Sequence, residues 1–367
     1  MKVAIVHYWL INMRGGEKML EALLEIYPEA DIYTHVYNPK AVSPLINSHR
    51  VYTSRINRLP FAKKLYQTYM PLMPNALIDF NLQSYDLVIS SEAGPAKGVV
   101  ANPNAYHLCY CHSPMRYLWD MYHEYFKSAN PIVRLFMKKL IPGLRIWDIA
   151  SANLVDRFVT NSNYVASRIR RVYNREAEVI YGPASIDRFL NTERKPSDYY
   201  LIFGEITGYK RADIAIEACA RSGRKLIVAG AGAKKKDIKK YEKAGLVHFA
   251  GRVSDEKAVE LFAGARALLY PGIEDLGLVP IEANAAGCPV IAFRQGGALD
   301  TVKENVTGLF FDGQNPSSLI QALDCFEAAE ADGAFKEREI FTEHVKQFSP
   351  EAFKEKVRRI VAERKRI

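Results

Sequence analysis

The sequence predicts an α/β protein with two doubly wound parallel sheets, and three observations support this fold class. Short runs rich in β-branched and aromatic residues alternate with helical patterns along all 367 residues. Several runs, such as 86–90, are almost continuously apolar, as strands are when helices cover both faces of a sheet. The alternation is interrupted at 182–197 by Gly182-Pro183 and by a charged stretch that ends in Pro196-Ser197. We therefore predict one sheet on each side of this interruption.

The predicted strands of the first half are 2–8, 31–36, 85–90, 105–111, 157–161 and 178–181. In the second half they are 199–204, 225–229, 247–250, 267–270, 289–293 and 308–311. The predicted helices are 16–27, 165–173, 211–222, 256–263, 316–331 and 350–366. The resulting domains are 1–182 and 183–348, followed by a basic amphipathic helix within 349–367. Because ligands bind doubly wound sheets at the carboxyl ends of the strands, functional side chains are expected in the loops there.

The composition excludes disordered and fibrous proteins and indicates an anionic partner. Hydrophobic residues make up 49% and charged residues 25%, close to the averages of globular proteins. Lys plus Arg number 50 against 41 Asp plus Glu, and the net charge of +9 suits nucleic acid, a membrane surface or phosphorylated small molecules. Nucleic acid is not expected, because no recognisable binding module accompanies the charge. Basic residues cluster among apolar ones at 55–66, 134–147 and 168–175, which indicates an anionic membrane surface or a solvated basic face.

The N-terminal segment and the cysteines predict a cytoplasmic protein. The first apolar run is too short for a secretory signal and lacks a small-residue cleavage site. No apolar run reaches the roughly 18 residues that a membrane-spanning helix needs. The five cysteines are an odd number without a CxxC pair, and we interpret them as reduced packing thiols.

Two motifs of the first half follow predicted strands. The sequence RGGE at 14–17 comes after the first strand and opens a helix, where paired glycines let backbone amides approach a phosphate. A glycine turn that merely links strand to helix is the alternative. The sequence CHSP at 111–114 continues directly from the fourth predicted strand. It places His112 at the rim of a cleft, either in a catalytic role or as a structural histidine.

Two motifs of the second half combine charges with glycine loops. The loop GEITGYKR brings Lys210 and Arg211 to the start of a helix, which suits an anion or a simple solvated helix start. At 271–283 a strand end, a glycine loop and a helix with a proline in its first turn fit a phosphate cradle. Glu274 and Glu282 belong to this motif, and two carboxylates that accept hydrogen bonds from vicinal hydroxyls suit a nucleotide-sugar pocket. Metal binding is not expected, because no histidine or further acidic residue has ligand spacing nearby.

The four motifs, in this order, resemble those of the retaining glycosyltransferases of family four, and the resemblance covers nearly the whole chain. The separation of Glu274 from Glu282 by seven residues is its most specific part. The resemblance implies the GT-B fold, in which two Rossmann-like domains face each other across a cleft. It also implies that the first domain binds the acceptor, that the second binds the nucleotide sugar, and that the last helix crosses back to the first domain.

The resemblance further implies roles for single residues. His112, Lys210 and Glu274 form the expected catalytic set: His112 lies near the transferred sugar, Lys210 neutralises the departing diphosphate, and Glu274 holds hydroxyls of the donor sugar. Glu282 accepts hydrogen bonds from the ribose hydroxyls. The other expected donor-binding residues are Gly15, Gly16, Arg211, Gly251, Val253, Leu276, Gly277 and Leu278.

The segment 111–119 is similar to that of bacterial mannosyltransferases that build O-antigen, capsule or exopolysaccharide repeats. This similarity implies GDP-mannose as the donor, a lipid-linked oligosaccharide as the acceptor, and a place in the cytoplasm or on the inner face of the cytoplasmic membrane. No cofactor besides the nucleotide sugar and no metal is expected. The family also implies front-face attack, in which an oxygen of the leaving phosphate takes the acceptor proton.

One departure from the family pattern is Glu205, at a position where the family usually has an arginine that contacts the diphosphate. Two unit charges of one sign 4 Å apart repel by roughly 1 kcal/mol in water, and by more when desolvated. Arg14 and Arg211 are the cations expected to compensate. Two alternatives stay open, a GT-B epimerase or phosphorylase and a nucleotide-sugar-binding relative with weakened catalysis. A nicotinamide-dependent oxidoreductase is disfavoured, because no strand–helix turn has the three-glycine fingerprint.

Overall fold

The computed structural model describes residues 1–232, 241–242 and 245–364, and the chain divides into two compact units. Unit 1 comprises Met1–Pro183 together with the chain from Phe353 onward, and unit 2 comprises Ala184–Ala352. The predicted domain boundary lies one residue before this division. Each unit contains one parallel sheet on which its helices pack, which confirms the predicted α/β class with two doubly wound sheets.

The strands of unit 1 are β1 (Val3–His7), β2 (Asp31–Thr34), β3 (Val51–Thr53), β4 (Leu87–Glu92), β5 (Tyr106–Cys111), β6 (Arg157–Thr160) and β7 (Ala177–Val179). Their order in the sheet is β3-β2-β1-β4-β5-β6-β7. Ile5 of β1 is paired with Ile32 of β2 on one side and with Ile89 of β4 on the other. The strand order therefore reverses between β1 and β4.

The helices of unit 1 are Gly15–Ile26, Pro44–Ser48, Ala62–Leu65, Met73–Ala76, Tyr122–Ser128, Pro131–Ser151 and Asn163–Tyr173. Side-chain caps start three of them, because Ser43 accepts from the Ile46 amide, Asn130 from the Val133 amide and Ser162 from the Val165 amide. The last helix of the chain is Pro350–Ala362. Its apolar residues from Phe353 onward belong to the core cluster that also contains β1 and the helix Gly15–Ile26.

The strands of unit 2 are β8 (Tyr199–Phe203), β9 (Lys225–Ala229), β10 (Val247–Gly251), β11 (Leu268–Tyr270), β12 (Val290–Phe293) and β13 (Gly308–Phe311). Their order is β10-β9-β8-β11-β12-β13, which reverses between β8 and β11. The helices are Asp187–Leu190, Ala212–Ser222, Asp255–Gly264, Leu278–Ala285, Ala298–Thr301, Pro316–Ala331 and Arg338–Val345. The core lies where the helices Ala212–Ser222 and Pro316–Ala331 pack on the sheet, with Ile214, Leu319 and Phe326 fully buried.

Several elements are absent from the sequence predictions, most of them short helices, and two show why. β3 has only three residues, none of them fully buried, so it lacks the apolar signal of the other strands. The helix Pro131–Ser151 has 21 residues, but Pro142 interrupts its pattern and many of its apolar side chains are exposed. The end of the predicted helix 350–366 lies outside the described residues. Four of the cysteines are buried and Cys325 is exposed, and all five are free thiols.

Candidate active site

Both units place charged or polar side chains where the strand order reverses, which is where doubly wound sheets bind ligands. In unit 2 the neighbouring strands there are β8 and β11, which lead to Lys210 and Glu274 respectively. In unit 1 they are β1, which leads to Glu17, and β4, which contains Ser91. The topology therefore gives each unit a candidate site at the carboxyl edge of its own sheet.

In unit 2, Nζ of Lys210 is 3.3 Å from Oε1 of Glu274, and the two side chains are 20% and 22% exposed. Two glycines allow this approach. A Cβ at Gly272 would lie 2.7 Å from the Cα of Lys210. Gly204 has a left-handed φ of +106°, and a Cβ there would lie 3.3 Å from Nζ of Lys210. A side chain at either position would crowd Lys210, and glycine has none. The two loops can therefore hold the ammonium group of Lys210 beside the carboxylate of Glu274.

The loop after Glu274 leads into an uncapped helix N-terminus. The carbonyl of Glu274 accepts a hydrogen bond of 2.8 Å from the amide of Gly297, which fixes the loop. The helix Leu278–Ala285 begins after Gly277, which has a left-handed φ of +87° and no side chain to cap the first turn. Because the first amides of a helix have no intrahelical acceptor, this turn is open to an anion. The predicted donor-binding residues of this stretch are Leu276, Gly277 and Leu278.

Glu282 lies on the same helix and is paired with an arginine that the sequence did not reveal. Nη2 of Arg188 donates to Oε1 of Glu282 at 3.3 Å, and Nη1 of Arg188 is 2.7 Å from Asp255. Burial raises the pKa of Glu282 to about 7, although Arg188 and, more weakly, Lys210 act in the opposite direction. Lys210 is thus within electrostatic range of both predicted carboxylates, and the structure brings Lys210, Glu274 and Glu282 together.

Three polar atoms around this pair are buried without a hydrogen bond among the described residues: the Tyr270 hydroxyl, Oγ1 of Thr207 and Oε1 of Glu274, the last being the atom that forms the ion pair with Lys210. Burial and the nearby Glu274 carboxylate raise the pKa of Tyr270 well above its ordinary value. Buried polar groups are satisfied in most folded proteins, so these atoms indicate a place for a polar ligand. Neither Tyr270 nor Thr207 belongs to the predicted site.

The residue that departs from the family pattern, Glu205, is exposed. Arg211, expected to compensate its charge, instead contacts Asp213 at 3.1 Å and donates to Gln314 at 3.3 Å. Its left-handed φ of 50° turns the chain from a 3₁₀ turn into the helix Ala212–Ser222. The side chain of Arg211 is therefore engaged within unit 2, whereas Arg14 in unit 1 is exposed.

Two further predicted donor-binding residues, Gly251 and Val253, lie at the same edge of the sheet. Gly251 ends β10 with a left-handed φ of +63°, and its carbonyl accepts from the amide of Gly230 at 2.7 Å. Gly230 follows β9, and a Cβ there would lie 1.8 Å from the carbonyl oxygen of Gly204. The ends of three neighbouring strands thus approach closely. Val253 lies two residues beyond β10 and is half-buried.

In unit 1, the glycine pair has a packing role beside the predicted one. A Cβ at Gly16 would lie 2.6 Å from the hydroxyl oxygen of Tyr8, so glycine leaves room for that ring. Arg14 and the first helix residue, Gly15, are exposed, as an approach to phosphate requires. Glu17 points inward with 1% exposure and accepts from the Arg14 amide at 2.9 Å. The motif therefore joins an exposed turn to a buried carboxylate that the sequence analysis did not use.

His112 follows β5 and is connected to the ends of β4 and β1. Nε2 of His112 is 3.0 Å from Oγ of Ser91, which is 2.8 Å from Nδ1 of His7. Nε2 of His7 is 3.6 Å from Oε1 of Glu17. Burial and the neighbouring His7 lower the pKa of His112 to about 3, so His112 is neutral near pH 7.

Sequence reasoning missed the residues that hold the predicted ones in place. Arg188 lies 94 positions from Glu282, and no local pattern connects them. For Glu17 a usable signal exists, because an acidic residue three positions after a helix N-cap commonly accepts from the N-cap amide. His7 and Ser91 are polar residues at the ends of otherwise apolar strands, which is also a readable signal.

Unit 1 also contains a cavity of about 770 Å³ that is lined by basic and aromatic side chains. Arg168 in its wall donates to Oγ of Ser113 at 2.9 Å and to Oδ1 of Asp120 at 2.6 Å, so the cavity adjoins the segment that contains His112. Other lining residues are Trp119, Arg145, Ile149, Tyr164 and Arg171.

Residues 185–348 match the family model described as glycosyl transferases group 1. The D-inositol 3-phosphate glycosyltransferase of Acidothermus cellulolyticus is 28% identical over 217 residues, which cover 50% of this chain and 48% of the relative. The alpha-1,3/1,6-mannosyltransferase ALG2 of Mus musculus is 25% identical over 282 residues, which cover 66% and 65% respectively. The GDP-mannose-dependent alpha-(1-6)-phosphatidylinositol monomannoside mannosyltransferase of Mycobacterium tuberculosis is 34% identical over 113 residues, which cover 28% and 29%. The chain thus spans about half the length of the first of these relatives and less than two thirds of each.

Solved structures resemble the chain over nearly its whole length. The sucrose-phosphate synthase of Thermosynechococcus elongatus has a TM-score of 0.70 at 18% identity, covering 99% of this chain and 98% of that one. Alr3699/HepE of Anabaena, crystallised with UDP and glucose, has a TM-score of 0.66 at 16% identity, covering 99% and 100%. At such identities the likeness shows the fold.

Proposed function

Since residues 185–348 match the model of the glycosyl transferases group 1 family and the chain has the GT-B fold, we propose that this protein is a retaining hexosyltransferase. The proposed donor is GDP-mannose, and the proposed acceptor is a lipid-linked oligosaccharide of bacterial surface polysaccharide synthesis. The observation that carries the proposal is the contact between Lys210 and Glu274 beside an uncapped helix N-terminus. A cation, a carboxylate and open amides in one place suit a diphosphate joined to a sugar.

Each group of this candidate site in unit 2 has a proposed task. Lys210 and the amides at the start of the helix Leu278–Ala285 stabilise the negative charge that develops on the departing diphosphate. Glu274 accepts hydrogen bonds from hydroxyls of the donor sugar, and Glu282 from those of the ribose. Because charged and dipolar groups of the chain suit the diphosphate, we propose that transfer requires neither a metal ion nor a cofactor besides the nucleotide sugar.

The proposed reaction exchanges one bond at the anomeric carbon for another on the same face. The bond from this carbon to the diphosphate oxygen breaks, and the acceptor hydroxyl oxygen forms the new bond. The acceptor proton passes to the departing phosphate oxygen, so no nucleophilic side chain is needed. His112 is proposed to lie near the transferred sugar, where a neutral imidazole contacts a hydroxyl.

Mannose is the preferred sugar because two of the relatives are named as mannosyltransferases, one of them GDP-mannose-dependent. The Anabaena structure instead contains UDP, which makes UDP-sugars the alternative. A thermal-shift screen distinguishes the two. GDP and GDP-mannose are expected to raise the melting temperature more than UDP and UDP-glucose, since a ligand at about 100 times its Kd adds roughly 2.7 kcal/mol. A reversed order would make UDP-sugars the donors.

Turnover tests the reaction itself. With GDP-mannose and lipid-linked oligosaccharide, mannose transfer is expected in the presence of EDTA, and GDP release only when the acceptor is present. GDP release without acceptor would favour another nucleotide-sugar enzyme, such as an epimerase. Donor binding without any product, not restored by Glu205→Arg, would indicate a binding protein and contradict the proposed function.

A membrane surface is the proposed second partner, because the helix Pro131–Ser151 exposes an apolar stripe. Ile132 is 69% exposed, Leu135 68% and Ile146 71%, and these positions share one side of the helix. The neighbouring Lys138 and Lys139 are also exposed. Apolar side chains flanked by lysines suit the interface of an anionic leaflet, where a lipid-linked acceptor resides. Among the described helices, none is long and apolar enough to cross a bilayer.

The predicted basic cluster at 168–175 does not contribute in the same way. Arg168 is 9% exposed, and Arg175 donates to the carbonyls of Ala152 and Val155. These two guanidinium groups hold loops together, whereas Arg170 and Arg171 of the same cluster are exposed. Arg168 and Arg171 line the cavity of unit 1, whose arginines and aromatic rings are proposed to receive the phosphate end of the acceptor.

Vesicle sedimentation tests the membrane surface. The protein is expected to bind phosphatidylglycerol vesicles at low salt and to bind phosphatidylcholine vesicles weakly. Leu135→Ser and Ile146→Ser are each expected to weaken binding about tenfold, because a buried apolar side chain contributes about 1.5 kcal/mol or more. Leu299→Ser, a 54% exposed leucine of unit 2, is the matched control. Equal loss with the control would contradict the assignment of this helix.

A further inference from the structure

Four side chains form a continuous polar chain in the interior of unit 1. They run from Glu17 at the helix start through His7 of β1 and Ser91 of β4 to His112 after β5. The successive separations are 3.6 Å, 2.8 Å and 3.0 Å. His7 and Ser91 are completely buried and Glu17 is 1% exposed. The two shorter contacts are hydrogen bonds, and the contact of His7 with Glu17 is at ion-pair distance. Water has little access to these groups, so the directions of the hydrogen bonds depend on the groups themselves.

The direction of these hydrogen bonds follows from the carboxylate. Burial opposes the charge of Glu17, but the His7 ring and the Arg14 amide hold its pKa below the ordinary value. An ionised carboxylate only accepts, and Nε2 of His7 faces Oε1 of Glu17 at 3.6 Å with no hydrogen-bond partner of its own among the described residues. A His7 ring that carries a single proton therefore holds it on Nε2, where the carboxylate attracts it. Nδ1 of His7 then accepts from the Ser91 hydroxyl, and Oγ of Ser91 accepts in turn from Nε2 of His112.

We propose that Glu17, acting through His7 and Ser91, holds His112 as the neutral tautomer protonated on Nε2. Nδ1 of His112 then presents a lone pair, and in the described part of the chain no group donates to it. Its proposed partner is a hydroxyl of the bound sugar, and this partner rests on the proposed function, whereas the tautomer does not. Glu17, His7 and Ser91 are positioning residues, because they act on the substrate only through His112.

The glycine motif at 14–17 also has a structural role beside these four polar side chains. The Tyr8 ring packs on His7 with ring centroids 4.3 Å apart, and its hydroxyl occupies the space that a Cβ at Gly16 would need. Gly16 thus lets Tyr8 cover the imidazole while the next residue, Glu17, turns inward. The RGGE sequence therefore serves the orientation of His112 in addition to its predicted approach to phosphate.

The variant Glu17→Gln tests this proposal directly, because it should reverse the direction of the hydrogen bonds that link His7, Ser91 and His112. Oε2 of Glu17 accepts from the Arg14 amide, so the amide oxygen of the new side chain is expected there and its NH₂ group faces His7. A donor at that place moves the His7 proton to Nδ1, and Ser91 then donates to Nε2 of His112. His112 is expected to become the Nδ1-protonated tautomer. Ser91→Ala, which interrupts the chain, is expected to give a mixture of the two tautomers.

Nitrogen-15 correlation spectra of the histidine rings measure the tautomer in the free protein at pH 8, without donor or acceptor. We expect the Nε2-protonated form in the wild type and in Glu21→Gln, a control on the same helix whose carboxylate contacts Lys18. In transfer assays Glu17→Gln is expected to lower kcat about 10- to 100-fold with little change in the KM for the donor, in line with lost partners of ligating histidines. Glu21→Gln should leave kcat unchanged.

An Nδ1-protonated or charged His112 in the wild type would overturn the proposal, as would spectra that neither Glu17→Gln nor Ser91→Ala alters. Because the spectra need no substrate, these outcomes do not depend on the proposed sugar transfer. A protein that transfers no sugar but shows the expected tautomers would contradict the proposed function alone.

Discussion

Replacing Lys210 by alanine is expected to lower kcat for sugar transfer about 10²- to 10³-fold, the cost of removing one preorganised group that stabilises developing charge. The donor carries its diphosphate charge in the ground state, but that charge grows as the sugar departs. Lys210 therefore acts more strongly on the transition state, and the KM for the donor should change less than kcat. Steady-state kinetics with purified protein measures both quantities.

The structure indicates that this variant folds. The Lys210 side chain is partly exposed, and the close packing at Gly272 involves the backbone of residue 210 rather than its ammonium group. Lys225→Ala is a suitable control. Lys225 also forms an ion pair, with Asp198, but it lies at the start of β9 and therefore at the edge of the sheet opposite to the carboxyl edge that carries Lys210. A Lys210→Ala protein with the kcat of the wild type would remove Lys210 from the mechanism.

Replacing Lys97 by methionine is expected to destabilise the protein by about 3–5 kcal/mol, the cost of leaving buried charges without their partner. Lys97 is completely buried, with Nζ 3.5 Å from Oε1 of Glu92 and in contact with Asp148. Burial opposes its charge, yet the two carboxylates hold the pKa of Lys97 above its ordinary value. Without the ammonium group, both carboxylates face each other in the core. Urea unfolding of the full chain measures the loss.

This ion-pair cluster also supports the site. Asp148 accepts from the indole nitrogen of Trp119 at 2.7 Å and from the Tyr173 hydroxyl at 3.1 Å, so it joins the helix Pro131–Ser151 to the segment that follows His112. Lys139→Met, an exposed lysine on that helix, is the control and should change stability by less than about 0.5 kcal/mol. A loss below 1 kcal/mol for Lys97→Met would show that the cluster relaxes or takes up water.

The loops that carry the candidate residues of each unit were largely predictable from the sequence, because they depend on where strands end. Lys210 and Glu274 in unit 2, and His112 in unit 1, each lie in a loop after a strand whose apolar run is readable locally. Within one sheet, parallel strands bring their carboxyl ends to one edge, so the loops of neighbouring strands lie close together. The spacing of Glu274 and Glu282 across a glycine turn likewise depends only on local geometry.

The missed elements show the limit of local patterns. The helix Pro131–Ser151 contains Pro142 and exposed apolar side chains. The sequence pattern therefore predicts neither a continuous helix over these residues nor which of its faces is buried. β3 is a three-residue strand whose existence depends on pairing with β2. Arg211 was expected to face the diphosphate, whereas Asp213 and Gln314 engage it. The sequence pattern could not show the contact of Arg211 with Gln314, because the two residues are 103 positions apart in the chain.

The sequence by itself determined the class of fold, the order of twelve of the thirteen named strands along the chain, and which loops carry the charged side chains of the candidate sites. Only the tertiary structure decided how those side chains are held: Arg188 against Glu282, Lys97 between two carboxylates, and His112 through Ser91 and His7. The physical reason is the distance along the chain between residues that interact. Periodicity, turns and caps depend on neighbours within a few residues, whereas the proton positions and charges of buried groups depend on partners that only folding brings within about 4 Å.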